Sequence, residues 1–236
     1  MRREKILIFF TALIFVIIIV NNLFMKFITK NLKWHLSQSL KRNAVFIKDL
    51  KIDFSPVTWS GIVGGYLENV YISAPYYQGK KITLEDVRIT SRRLYFSWRN
   101  WFKVRRFKIT RLEKALLSAS VSEDILNHLR RLQYPRYNVT IRIAPGFIRL
   151  TYKINLYVKN VEVIYEGIPE ISGDHLTIYP RRLLFSNLHI PEKLLNSYQE
   201  KLQINVAVSL LLPVKLKALK LSEGKIHLFW QEENTK

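Results

Sequence analysis

The chain has 236 residues, 48% of them hydrophobic, and carries 38 Lys and Arg against 18 Asp and Glu, a formal net charge of +20. That apolar share can bury a core, which excludes a disordered chain, and the charge asks for a negative partner, either anionic lipid or nucleic acid. With no cysteine, disulfides, thiolate zinc sites and thiol catalysis are excluded too.

Ile6 to Met25 reads ILIFFTALIFVIIIVNNLFM, without a charge and with only Thr11, Asn21 and Asn22 as polar interruptions. As a helix it covers about 30 Å, the thickness of a bilayer's hydrocarbon. Arg2, Arg3 and Lys5 would also suit the basic start of a signal peptide, but Leu23, Phe24, Met25 and Phe27 stand where small residues are needed for cleavage. An uncleaved anchor over residues 1–26 is the expectation, and it favours a membrane over nucleic acid as the partner. Lys26, Lys30, Lys33, Lys41 and Arg42 follow the span, so a positive-inside count does not favour exporting that side.

Residues 27–44 continue as a juxtamembrane helix with Ile28, Leu32, Leu36 and Leu40 at four-residue intervals. Trp34 and the lysines suit the headgroup layer, whereas the leucine stripe equally suits packing on a domain core.

From Val45 to residue 235 the pattern turns mainly to period two, as in YLENVYIS (66–73), KITLEDVRIT (81–90), FIRLTYKI (147–154) and LYVKNVEVIY (156–165). Such runs predict one domain built on a mainly antiparallel sheet with one covered face. Pro145-Gly146 and Ser222-Glu223-Gly224 read as hairpin turns. Gly61, Gly64 and Gly65 lack the Lys-Ser/Thr of a phosphate loop and read as a bend between strands.

Two amphipathic helices should lie on that sheet, giving an α+β fold. The first spans about Ser122 to Leu132, with Ser120 and Glu123 at capping-box spacing and Ile125, Leu126, Leu129 and Leu132 on its apolar stripe. The acidic pair Glu123-Asp124 suits the positive end of that helix. The second opens at Pro191 and places Leu194, Leu195, Tyr198 and Leu202 on one face.

VRITSRRLYFS (Val87 to Ser97) and LTIYPRRLLFS (Leu176 to Ser186) match without a gap at Ile, Arg-Arg, Leu, Phe and Ser. The match suggests related units over 45–135 and 136–230, and the absence of a linker between them predicts one continuous sheet. Arg92, Arg93, Arg181 and Arg182 are candidates to present guanidinium forks to lipid phosphates, or else solvated strand ends. Leu94, Phe96, Leu183 and Phe185 beside them are candidate groove residues, and Trp98, Trp101 and Phe102 in SWRNWF are candidate interfacial anchors, or else the two tryptophans pack over the core.

No enzyme chemistry stands out. His35, His128, His175, His189 and His227 are scattered, none with a partner at i+4 or a neighbouring Glu, and no Gly-x-Ser-x-Gly elbow occurs. No catalytic residue, metal or cofactor is therefore expected.

In the order of these elements the chain resembles the LmeA family of bacterial phospholipid-binding proteins. The resemblance rests on SPVTWSGIVGGYLENV (Ser55 to Val70), LEDVRI (84–89), KITRLEKALLSASVSEDILNHL (Lys108 to Leu129), PGFIRLTY (Pro145 to Tyr152), the Pro191 segment and LLPVKLKALKLSEGKIHL (Leu211 to Leu228). It implies an extracytoplasmic domain with an N-terminal export or anchor segment and no cofactor, which takes phospholipid into an apolar groove made by a curved sheet and its helices; no nucleic-acid partner is expected. A basic envelope scaffold that binds anionic polymers or headgroups without a pocket is the alternative.

Overall fold

The computed structural model of the protein describes residues 2–79, 82–97, 107–133, 138–155, 160–172, 175–186, 188–189, 203–207 and 214–232. It opens with one unbroken helix, α1 (Arg2–Asn43). The expected anchor and juxtamembrane segments both lie on this one continuous helical rod. The four-residue stripe decides where the rod enters the protein: Leu32 and Leu36 have no exposed surface, and Ile28 and Leu40 pack on the same core. Ser39 Oγ donates to the Phe107 carbonyl at 2.7 Å, and Lys33 pairs with Asp53 at 2.8 Å. One turn or more upstream, Ile14 to Val20 are all exposed.

After α1 come β1 (Phe46–Lys48), β2 (Lys51–Asp53), α2 (Trp59–Gly64), β3 (Tyr66–Gln78), β4 (Thr83–Phe96), β5 (Ile109–Glu113) and β6 (Leu116–Ser122). Then follow α3 (Glu123–Gln133), β7 (Val139–Ala144), β8 (Phe147–Asn155), β9 (Asn160–Ser172) and β10 (His175–Phe185). The last are β11 (Leu188–His189), β12 (Ile204–Ala207), β13 (Val214–Ser222) and β14 (Lys225–Glu232). Among the described residues every strand pairing is antiparallel.

The described strands form two sheets, not the single sheet expected from the lack of a linker. The first runs β1-β3-β4-β6-β14-β13, with β2 also on β3 and β5 on β4; the second runs β11-β10-β9-β8-β7, with β12 on β10. The final hairpin crosses the proposed boundary between halves, because β14 pairs along β6 from Lys225↔Ser122 to Gln231↔Leu116. A break at 135 therefore needs no linker: the C-terminal strands tie the second half into the first sheet.

The inner faces of both sheets feed one apolar core. Leu67, Leu84, Leu117, Leu228 and Trp230 come from the first sheet, and Ile143, Ile148, Tyr165, Leu176 and Ile178 from the second. Alternation along β3 shows the expected covered face, with Val70, Ile72 and Ala74 buried between more accessible neighbours. Gly167 on β9 is needed for this contact, since a Cβ there would lie 2.4 Å from Ile178 and 2.8 Å from the Tyr165 ring.

Both expected turns form. Ala144↔Phe147 flank Pro145-Gly146, and Ser222↔Lys225 flank Glu223-Gly224, with the two glycines at φ 89° and 69°. Of the two expected helices, α3 is present, with Ile125 and Leu126 against the core and Leu132 exposed at its end. Its cap is Ser122, whose Oγ accepts from Ile125 N at 3.4 Å, and not Ser120, which lies buried in β6. The Pro191 helix falls outside the described residues.

Candidate lipid and membrane interface

The apolar span of α1 meets the domain at α2. The glycine-rich stretch is a short helix rather than a plain bend: Thr58 caps it by accepting from Gly61 N at 3.1 Å, and Gly65 ends it at φ 65°. Trp59 Nε1 donates to Asn21 Oδ1 at 3.0 Å, and its ring stacks on Phe24 with centroids 5.8 Å apart. Asn21, a polar interruption of the span, thus has its amide oxygen satisfied from the domain. The same turn leaves Trp59 55% and Val63 83% exposed.

Tyr66 carries this end into the first sheet. Its ring fills the space a Cβ on Gly64 would need, 2.6 Å away, and the Arg93 guanidinium lies 4.8 Å from its centroid. Arg93 also reaches Glu68 at 3.4 Å and Glu113 at 3.8 Å, while Arg111 stacks over Tyr95 at 4.2 Å. Hydrogen bonding with Tyr95, and after it the charge on Glu113, hold the Arg93 pKa above its ordinary value. Arg92, its neighbour, is exposed. The first Arg pair is thus divided, one cation committed to two carboxylates and the other open to solvent.

The second pair lies on the other sheet. Arg182 faces Glu166 in register, and the ladder shifts at Arg181, so both arginines of β10 are exposed. The register extends this into a row across four strands, Arg142↔Arg149↔Glu166↔Arg182. Glu166 is buried and accepts from Arg149 Nε at 2.9 Å and Nη2 at 2.7 Å. Three cations and one anion give the row a surplus of positive charge, with Arg142 and Arg182 open to solvent. On the opposite face, Tyr165 donates to the Ile178 carbonyl at 2.9 Å, and burial pushes its pKa up to about 12.

The matched segments occupy corresponding places. β4 and β10 are each the second strand of a long hairpin, and in each the second arginine faces a glutamate, Glu68↔Arg93 and Glu166↔Arg182. Their apolar partners diverge. Leu94 and Phe96 are buried in the core, whereas Leu183 is half-buried and Phe185 is 47% exposed. Trp98, Trp101 and Phe102 lie outside the described residues. Strand β4 itself ends beside α2, since Phe96 N donates to the Gly65 carbonyl at 2.8 Å.

Trp59, Arg142 and Arg149 were not singled out by sequence. Pro145-Gly146 carried a usable signal, because a two-residue turn places Arg142 opposite Arg149 by symmetry. Trp59 carried none beyond its residue type.

Compared with known proteins, the chain matches no family model, no curated protein and no solved structure.

Proposed function

We propose that the chain is a membrane-anchored, non-enzymatic protein that binds anionic phospholipid, with its basic domain held at the extracytoplasmic face of a bacterial cytoplasmic membrane. The observation that carries this reading is α1, one helix exposed and apolar at Ile14 to Val20 and fully buried at Leu32 and Leu36. Seven residues at about 1.5 Å each separate Met25, the end of the apolar run, from Leu32, so the core begins about 10 Å beyond the span. A domain so tethered, in a chain of charge +20, meets headgroups continuously, and each cation near an anionic surface contributes about 1 kcal/mol.

The partial exposure of Leu183 and Phe185 supports assigning acyl-chain contact to the second sheet. Each buried CH₂ would add about 0.8 kcal/mol. The burial of Leu94 and Phe96 favours the second reading on the first sheet, where side chains already fill the core and only headgroups or anionic polymers would be bound.

Full-length protein, delipidated in detergent and mixed at low salt with vesicles containing labelled phosphatidylglycerol, tests the proposal. Extraction of labelled lipid is the expected result. Binding without extraction would select the scaffold reading, and no binding would remove both. Protease accessibility in intact spheroplasts tests the side of the membrane, and an inaccessible domain would overturn the extracytoplasmic placement.

A further inference from the structure

We infer that α2 is a second membrane-inserting element, a rigid wedge that enters the headgroup and upper acyl region of the leaflet beside α1. The inference rests on the anchoring proposed above and names a contact that anchoring alone does not require.

Depth is the first argument. If Ile6 to Met25 crosses the hydrocarbon, Asn21 lies four residues, about 6 Å, inside the end of the span. Trp59 is bonded to Asn21 and stacked on Phe24, so α2 sits at the height of the boundary and not above it. Lys26 and Lys30 follow within the next turns, at the level where ammonium groups meet phosphate.

Composition is the second. Phe54 to Tyr66, FSPVTWSGIVGGY, contains no charged residue in a chain that is 24% charged. An exposed tryptophan with a polar N–H and a neighbouring Val63 at 83% exposure cost free energy in water but match the interfacial layer, where tryptophan concentrates.

Rigidity is the third. A Cβ on Gly61 would lie 2.9 Å from the Tyr66 carbonyl, and one on Gly64 would lie 2.6 Å from its ring. The turn is therefore pressed onto β3, and Ile62 packs against the core. Insertion needs no rearrangement, so the wedge would hold the domain at a set height and azimuth around α1.

Because the chain has no cysteine, single substitutions can each carry an environment-sensitive fluorophore. Val63→Cys, Ile17→Cys in the span and Arg88→Cys on the exposed side of β4 would be labelled in the full chain and reconstituted in phosphatidylcholine/phosphatidylglycerol vesicles. The expected pattern is quenching by spin-labelled lipid at positions 17 and 63, at least threefold stronger than at 88, with the reverse order for aqueous iodide. Position 63 behaving like 88 while 17 is lipid-quenched would overturn the wedge and leave the anchor standing. Aqueous exposure of 17 as well would overturn both.

Discussion

The Asn127 carboxamide completes a strand that, among the described residues, has no neighbour on one side: its Nδ2 donates to the Ile141 carbonyl at 2.7 Å and its Oδ1 accepts from the Ile141 N–H at 2.9 Å. One side chain thereby does for β7 what an adjacent strand would do. Glu123 continues the substitution by accepting from Ile143 N at 3.0 Å, and Gly224 N donates to the Ile143 carbonyl at 2.9 Å. α3 and the β13–β14 turn thus close an edge of the second sheet that would otherwise be open to another chain.

Replacing Asn127 with Ala should leave both Ile141 groups without their partner, at a cost of about 2 kcal/mol. Urea denaturation would show the loss, and hydrogen exchange should accelerate at Ile141 more than in β9. An unchanged exchange rate at Ile141 would mean that the edge is satisfied in another way.

Leu36→Ala should destabilise the folded domain by about 2–5 kcal/mol, because it opens a hole in a fully buried contact. Phe27→Ala, at an exposed position of the same helix, should leave domain stability nearly unchanged. Chemical denaturation in detergent, followed by tryptophan fluorescence, separates the two. Equal effects would argue against the stripe as the joint between rod and domain.

The arginines should separate by task. Arg182→Ala is expected to weaken binding to anionic vesicles about fivefold at low salt, the equivalent of about 1 kcal/mol, with the effect fading as salt rises. Arg93→Ala should instead lower stability modestly, since it removes partly exposed ion pairs and the Tyr66 contact. Vesicle co-sedimentation and thermal melts would check both, and an Arg93 variant defective only in vesicle binding would reverse the assignment.

Tyr165 makes stability sensitive to alkali. Its phenol ionises near 10 when unfolded but near 12 when folded, so the unfolded state releases its proton first. The contribution is intact below about pH 10 and is lost as pH rises towards 12, at most about 1.4 kcal/mol per pH unit. Measured between pH 9 and 11.5, the stability of the native protein should fall relative to that of Tyr165→Phe. A constant difference would place Tyr165 in a wetter site.

What was legible in the sequence was what one element carries by itself. The apolar run announces the span, the period-two stretches announce strands, and Pro145-Gly146 and Glu223-Gly224 announce turns through glycine's left-handed φ. What was not legible depends on partners distant in sequence. Alternation places Arg93 on a face but does not say that Glu68 and Glu113 wait there. The shift at Arg181 moves every later pairing of β10 by one, so the row through Arg182 follows only once the register is known. The stripe from Ile28 to Leu40 suits lipid or protein equally, and the choice is made by the core it joins, which draws its other members from residues distant in sequence.

If α1 crosses a membrane as proposed, its unbroken course makes the protein a lever. A helix leans when its greasy length exceeds the local bilayer thickness and straightens when the two agree. Since Leu32 and Leu36 clamp its far portion into the β-structure, no hinge absorbs that lean, and the domain must swing with it. Membranes of unequal thickness would therefore present different sides of the same domain to their lipids.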